Sequence, residues 1–388
     1  MKVAIVAPLV APIREPHCGG AQAFVADLAR GLAGRGHEVH LYAASGSHVK
    51  GIEVVDTGVD HHALQATLYR ADAPESPADA PGGPADAPSD AANAPSDAAN
   101  AASDAAKAGF GAVYDAIGEG AYDLIHNHAF DAPAIALAGR GGAPVLHTLH
   151  LPPAPAVAAA VAVALSGTAP PAIACVSASQ AQAWRAHVPV DGLLAPYIPT
   201  CTVRFADTAP QRAVFAGRLS PDKGAAEAID IARRAGLPID VFGDAYDPGY
   251  AREQVEPRRG LPGVTIHGAV ARTELWRAMA CASVVLCPVR WEEPFGMVAA
   301  EAQACGTPVV AFARGGLPEV ICDRATGILV EPGDIQAAAE AVRASGALSR
   351  EDCRRHAERE LDLELSLDAH ERLYELLAAA AVRSPVRG

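Results

Sequence analysis

Two carboxylates and a helix start dominate the chemistry available to this sequence. Glu293 and Glu301 stand with seven residues between them in RWEEPFGMVAAEAQACGTPVVAFARGGLPEVI, residues 290–321. Pro294, Phe295, Gly296, Met297 and Val298 follow the first, and a short Ala-rich helix carries the second. At about 100° per residue, Val298, Ala302 and Cys305 share one helix face, and Glu301 falls in that sector, about 60° from Val298. A charge on an apolar stripe is costly unless it has a partner. One solution is a nearby arginine; another is a ligand. The loop of small residues ahead of this helix leaves backbone N–H groups and the positive end of the dipole pointing outward, a combination that binds phosphate. Two carboxylates beside an anion site suit a ligand that carries both phosphate and hydroxyl groups.

Three further sets of residues have chemical potential. Arg218 and Lys223 sit five apart in AVFAGRLSPDKG, residues 213–224, a strand, a loop and a helix start. Lysine is otherwise confined to Lys2, Lys50 and Lys107, so a compact ammonium at a helix start is notable. The alternative reading is a solvated surface pair. Gly19 and Gly20 stand where a loop enters a helix, so backbone can approach a ligand closely there; an ordinary glycine-bearing turn is the competing reading. His126 and His128, and His147 and His150, close the strand patterns AYDLIHNH and PVLHTLH. Alternation puts His126 and His128 on one face. Two histidines without a fixed third ligand make a weak metal site, and no metal is expected from them.

The elements that must position these residues follow from periodicity. The run VAIVA after Lys2 reads as a buried strand. Ala21 to Leu32 is a helix, with Phe24, Leu28 and Leu32 recurring every four residues. Glu38 to Ala43 is the next strand, and strand–loop–helix–strand opens a parallel α/β sheet. Further strands are expected at 121–128, 144–150, 172–176, 193–199, 213–217, 238–243, 264–268, 284–288 and in VVAFA, 309–313. In an open parallel sheet the carboxyl ends of strands face the ligand crevice. Helices are expected at 272–280, 333–346, 350–360 and 365–381, with Ser177 or Ser179 capping another. Residues 71–107 differ from the rest: three units, APSDAAN, APSDAAN and AASDAAK, lack Leu, Ile, Val and Phe. They read as a flexible surface insertion that gains helix near its end.

Length and composition set outer bounds. A chain of 388 residues is too long for one ordinary core and suits two domains. Its formal charge of −14 makes it a poor partner for nucleic acid, whose affinity comes from phosphate neutralisation, and argues against docking on anionic lipid. The eight cysteines form no C-x-x-C pair and read as free thiols of a cytoplasmic protein. No apolar run reaches the ~18 residues of a membrane span, and MKVAIVAPLVAP reads as a strand rather than a signal peptide. Nothing in the composition fixes an oligomeric state.

EPFGMVAAE, followed by A-x-A-x-G-x-P-V-V-A and G-G-x-x-E, resembles the retaining nucleotide-sugar glycosyltransferases of family four, and HCGGAQAFVADLARGLAGRGHEV is similar to that family's N-terminal signature. The resemblance spans nearly the whole chain apart from 71–107. It implies the GT-B fold, two doubly wound α/β (Rossmann-like) domains facing a cleft: an acceptor-side domain over 1–200, a donor domain over 205–364, and a last helix over 365–388 crossing back to the first. It implies that Glu293 contacts hydroxyls of the donor sugar and Glu301 the ribose, that Arg218 and Lys223 hold the diphosphate, and that Gly19 and Gly20 lie over the phosphates. His150 matches the family's histidine near the reacting sugar, and His128 the loop lining the acceptor side; His267 to Val270 sit where the base-binding loop lies. The Asn-Gly pair common near 199–210 is replaced by YIPTCTVRF. The expected reaction moves a hexose from UDP-glucose or UDP-GlcNAc, with GDP-mannose behind them, to a hydroxyl of a small soluble acceptor such as a specialised metabolite. No cofactor and no metal are expected, because no convincing D-x-D is present. Two rivals differ in class: a GT-B-fold epimerase, which would alter the donor sugar without an acceptor, and a catalytically silent nucleotide-sugar binder, which the intact Glu293, Glu301, Arg218 and Lys223 disfavour.

Overall fold

Short runs of Val, Ile, Leu and Ala bounded by glycine, proline or polar turns form two all-parallel sheets in a computed structural model that describes residues 1–64 and 97–383. The first sheet holds β1 (Lys2–Val6), β2 (Glu38–Ala43), β3 (Glu53–Asp56), β4 (Leu124–Asn127), β5 (Val145–Leu149), β6 (Ala172–Cys175) and β7 (Gly192–Leu193), in the order β3-β2-β1-β4-β5-β6-β7. The second holds β8 (Ala213–Ala216), β9 (Ile239–Phe242), β10 (Val264–Gly268), β11 (Val284–Cys287), β12 (Val309–Phe312) and β13 (Gly327–Val330), in the order β10-β9-β8-β11-β12-β13. Both sheets reverse direction next to their first strand, between β1 and β4 and between β8 and β11. The crevice of a doubly wound sheet opens there, beyond the carboxyl ends of the strands. This is the GT-B architecture expected from the sequence.

Parallel strands are covered on both faces, which explains their unbroken apolar runs. β1, β4, β5 and β6 are buried along all or nearly all of their length. Phe24, Leu28 and Leu32 of the helix Gly20–Gly34 are fully buried. The helix Ala178–Arg185 begins at Ser177, whose hydroxyl accepts the N–H of Gln180. The helix Leu363–Arg383 packs against the first half: Leu363, Leu367 and Tyr374 share a core cluster with Phe24 and Leu28. Arg35 beside it pairs with Glu364, Asp368 and Glu371. No helix among the described residues is long and apolar enough to cross a membrane.

Three expectations change. The strand over 193–199 shrinks to Gly192–Leu193, because the chain turns at Pro196 and Pro199 and only Ile198 bridges, to Asp362. β3 and β13 were not anticipated; both are four residues long and half-buried at sheet edges, so their alternation is weak. Of the repeats, residues 71–96 lie outside the described residues. From Asp97 the chain is one helix to Gly118, and Ala106 of the third unit is 2% exposed. That unit is drawn into the fold by the apolar residues after it: Phe110, Val113, Tyr114 and Ile117 are buried against the first sheet.

Candidate active site

The loop after β8 enters the helix Ala225–Ala235 through Gly224. Gly224 has φ 75°, and a Cβ there would stand 2.2 Å from the carbonyl oxygen of Pro288. Glycine therefore lets the start of that helix press on the end of β11, which sets Lys223 beside the loop carrying Glu293. Lys223 Nζ lies 2.6 Å from Glu293 Oε2, and Trp291 Nε1 donates to the same oxygen at 2.7 Å. The ammonium also stands over the Trp291 ring, 4.5 Å from its centroid, a further electrostatic attraction. The Lys223 and Glu293 side chains keep 18% and 15% of their surface, so the pair is open on one side. Arg218 lies over the Tyr246 ring at 4.5 Å and reaches Asp222 at 3.4 Å. Burial, with Glu293 adding to it, pushes the Cys287 thiol beneath this site up to about 12, so that thiol is inert.

Gly296 leads into the helix Met297–Ala304 in a left-handed conformation, and no side chain caps the helix. The N–H groups of Ala299 and Ala300 reach back to the Gly296 carbonyl; those of Met297 and Val298 meet no acceptor among the described residues. The helix Gly20–Gly34 is likewise uncapped by any side chain, with Gly19 at its N-cap. A Cβ on Gly20 would stand 2.8 Å from Met297 Sδ. Two open helix starts, one from each half, thus meet at one place, and both present the positive end of their dipole. Pro294 and Phe295 are buried behind this surface. Phe295 packs on Tyr197 at 5.8 Å and lines a separate cavity of about 630 Å³ with Glu319, His356 and Arg372, which includes neither Lys223 nor Glu293.

Glu301 is 5% exposed, and its Oε1 accepts from Arg272 Nε at 2.5 Å. The charge on the apolar stripe is therefore met by an arginine, the simpler of the two solutions. Burial works against the charge on Arg272, but Glu301 and Asp27 hold its pKa above the usual value.

At the ends of β4 and β5, His128 Nδ1 and His150 Nε2 are 2.9 Å apart, one donating to the other. His126 lies against His128 with ring centroids 3.9 Å apart, and its two nitrogens meet Tyr374 Oη and Thr148 Oγ1. Asn127 Nδ2 donates to His147 Nδ1 at 2.9 Å. Burial lowers His150 to about 4 and His147 to about 3, and holds His126 and His128 well below the ordinary value. These rings are neutral at pH 7.

The structure brings together Lys223 with Glu293, Gly20 with Met297, and His128 with His150. Among the described residues, no hydrogen bond or ion pair joins the histidine pair to the Lys223–Glu293 pair. His267 is stacked flat on Phe242 at 4.5 Å and meets Asp240 at 2.9 Å. Sequence reasoning missed Trp291, Tyr246, Arg272 and Asp27. Trp291 stood two residues before Glu293, but nothing local told its N–H where to point; the others depend on tertiary contact. It also missed Asp131, which is 5% exposed and whose carboxyl burial raises to about 7.

The pattern described as Glycosyltransferase Family 4 matches residues 18–199, and that described as Glycosyl transferases group 1 matches residues 204–359. Among curated proteins, D-inositol 3-phosphate glycosyltransferase of Segniliparus rotundus is 37% identical over 134 residues, 32% of this chain and 30% of that protein. Glycogen synthase of Mycobacterium tuberculosis is 33% identical over 141 residues, 35% of this chain and 34% of that protein. The chain spans about a third of the length of these relatives. Among solved structures, sucrose-phosphate synthase from Thermosynechococcus elongatus has TM-score 0.76 at 18% identity, covering 98% of this chain and 99% of that one. Anabaena HepE in complex with UDP-glucose has TM-score 0.69 at 19% identity, covering 97% and 100%. The paired family patterns, one on each half of a GT-B fold, show that this chain belongs to the family 4 glycosyltransferases.

Proposed function

We propose that this protein transfers a hexose from a nucleoside diphosphate sugar, UDP-glucose or UDP-GlcNAc, to a hydroxyl of a small acceptor, with retention at the anomeric carbon and without a metal. The observation that carries this reading is the meeting of two uncapped helix starts at Gly20 and Met297 beside the Lys223–Glu293 pair. Converging backbone N–H groups and dipoles suit a diphosphate, and the carboxylate suits sugar hydroxyls. Arg218 and Lys223 are assigned to the diphosphate. Each gains more from the departing diphosphate than from the intact donor, and a gain confined to the transition state lowers the barrier. When a phosphate oxygen occupies Lys223, the ammonium is shared between it and Glu293, so the carboxylate is positioned by the same contact.

His150, neutral at pH 7, is assigned to a hydrogen bond with the reacting sugar rather than to proton donation, and His128 fixes its ring. The acceptor proton passes to the leaving phosphate on the same face of the sugar. The histidines at this face are uncharged, which suits an uncharged hydroxyl acceptor. The UDP assignment is supported by HepE, which has this fold and was solved with UDP-glucose.

The test is thermal shift against UDP- and GDP-sugars with and without EDTA, because a ligand that binds the native state raises the midpoint. A shift with one UDP-sugar that EDTA leaves unchanged is the expected result. A shift with GDP-mannose alone makes the protein a mannosyltransferase, and no shift with any donor overturns the donor site. The anomeric configuration of the product, read by NMR coupling constants, decides retention.

A further inference from the structure

Glu293 is held through its backbone on one side and through its carboxylate on the other. The turn at Gly315 and Gly316 presses on its main chain. Gly316 N–H donates to the Glu293 carbonyl at 2.7 Å, and a Cβ on Gly315 would stand 2.2 Å from that same oxygen. The residues on either side of Trp291 are tied as well. Arg290 N–H donates to the Asp222 carbonyl at 2.8 Å, and Glu292 Oε2 accepts the Gly315 N–H at 3.0 Å. Trp291 thus stands on fixed backbone, half-buried, packed against the core cluster that holds Phe295 and Ala299. Three contacts then close a triangle. Lys223 Nζ and Trp291 Nε1 both donate to Glu293 Oε2, at 2.6 Å and 2.7 Å, and the ammonium lies 4.5 Å from the Trp291 ring centroid. The two donors differ in what they can do next. An ammonium carries three N–H groups on a flexible stem and can turn towards a second anion. An indole has a single N–H on a rigid ring, so this one stays with Glu293.

We propose that Trp291 is a positioning residue for the chemical step: its N–H holds Glu293 against the donor sugar while Lys223 is drawn to the leaving diphosphate. This rests on the reading above, in which Glu293 meets the sugar and Lys223 the diphosphate. As the bond from the anomeric carbon to the phosphate oxygen breaks, its electron pair goes to the diphosphate. The growing charge there pulls the ammonium, because hydrogen bonds between ionised partners are the stronger ones. Glu293 loses part of its hold on Lys223 at that moment and keeps the indole N–H. Both protein donors use Oε2, so Oε1 is the oxygen assigned to the sugar. The ring face steadies the ammonium between its two anions. A tryptophan that served packing alone would act through its ring, and its N–H would be dispensable.

The experiment compares Trp291→Phe, which keeps a ring and loses the N–H, with Trp291→His, whose Nε2 can stand where the indole N–H does. The probe is UDP-glucose with water in place of the acceptor, giving glucose and UDP, and UDP release is followed at saturating donor. Trp291→Phe is expected to lower kcat roughly 10-fold or more, the scale of one lost hydrogen bond to a charged group. Its KM for UDP-glucose, and its Kd for UDP by calorimetry, should stay within about threefold of native, since the contact acts in the chemical step. Trp291→His should recover most of the lost kcat. Three results overturn the proposal while leaving the donor reading intact: native kcat in Trp291→Phe, a loss that Trp291→His does not reduce, or a rise in KM and Kd with kcat kept. If Trp291→Phe does not fold, Trp291→His decides alone. A kcat within about threefold of native then supports the N–H, and a larger loss overturns it. If the native protein binds no UDP-glucose or releases no UDP from it, or if Glu293→Gln does so at the native rate, the donor reading itself fails. The role of Trp291 falls with it.

Discussion

At the scale of single residues, Lys223 holds the most chemistry in the least space. It contacts Glu293 and the Trp291 ring at once, in a protein with only three other lysines. Lys223→Ala and Arg218→Ala are each expected to cut turnover roughly 100-fold or more, a loss of ~3 kcal/mol of transition-state stabilisation. Steady-state kinetics at saturating donor check this, and near-native rates in both variants would remove the diphosphate assignment. Glu293 and Lys223 were legible in the sequence because both sit in ordered motifs with glycines and prolines at fixed offsets. Glu301 was only half legible: its place on an apolar stripe called for a partner, yet nothing in the sequence singled out Arg272, 29 residues away. Tyr246 was hidden for the same reason, since a stacking contact leaves no periodic trace.

Whole elements depend on two glycines for their approach. Gly224 in left-handed backbone sits under the Pro288 carbonyl, and Gly20 faces Met297. Their substitution should have different signatures. Gly224→Ala forces both strain and a backbone clash, and should destabilise by ~1–3 kcal/mol or more, read as a lower denaturant midpoint. Gly20→Val meets the end of a flexible methionine, so the fold should survive while donor affinity falls; unchanged donor affinity would count against the meeting of the two helix starts. Strand positions were legible wherever both sheet faces are covered, because burial writes an unbroken apolar run. β3 and β13 were not, since edge strands are short and half-exposed. The gain of helix near the end of the repeats was legible, but the burial of Ala106 was not, because the alanines of the third unit carry no apolar signal of their own and follow the buried face of the residues after them.

The molecule as a whole carries a sensitivity to acid. His126, His128, His147 and His150 of the first half and His370 of the last helix are all buried. Burial lowers His150 and His370 to about 4 and His147 to about 3. The unfolded chain protonates these rings near 6.5, so between those values it binds more protons than the native state does. Stability is then full above pH 6.5 and is lost as pH falls towards 4, with a slope of about 1.4 kcal/mol per pH unit for each ring that titrates. Melting midpoints between pH 7.5 and 4.5 should show a steep fall beginning near 6.5. His370→Asn should make that fall shallower by up to one proton; an unaltered slope would mean that this ring does not titrate on unfolding.

The first sheet is finished by a helix made long after it. Arg35 meets Asp368 across 333 residues of chain, and His126 meets Tyr374 across 248. During synthesis the first half leaves the ribosome with Phe24, Leu28 and the flank that later receives Leu363 and Leu367 still uncovered. Contacts of such long separation form slowly, and apolar surface exposed in the meantime invites association between nascent chains. Yield in a heterologous host should therefore depend on translation speed and chaperone supply more than the stability of the finished protein would suggest.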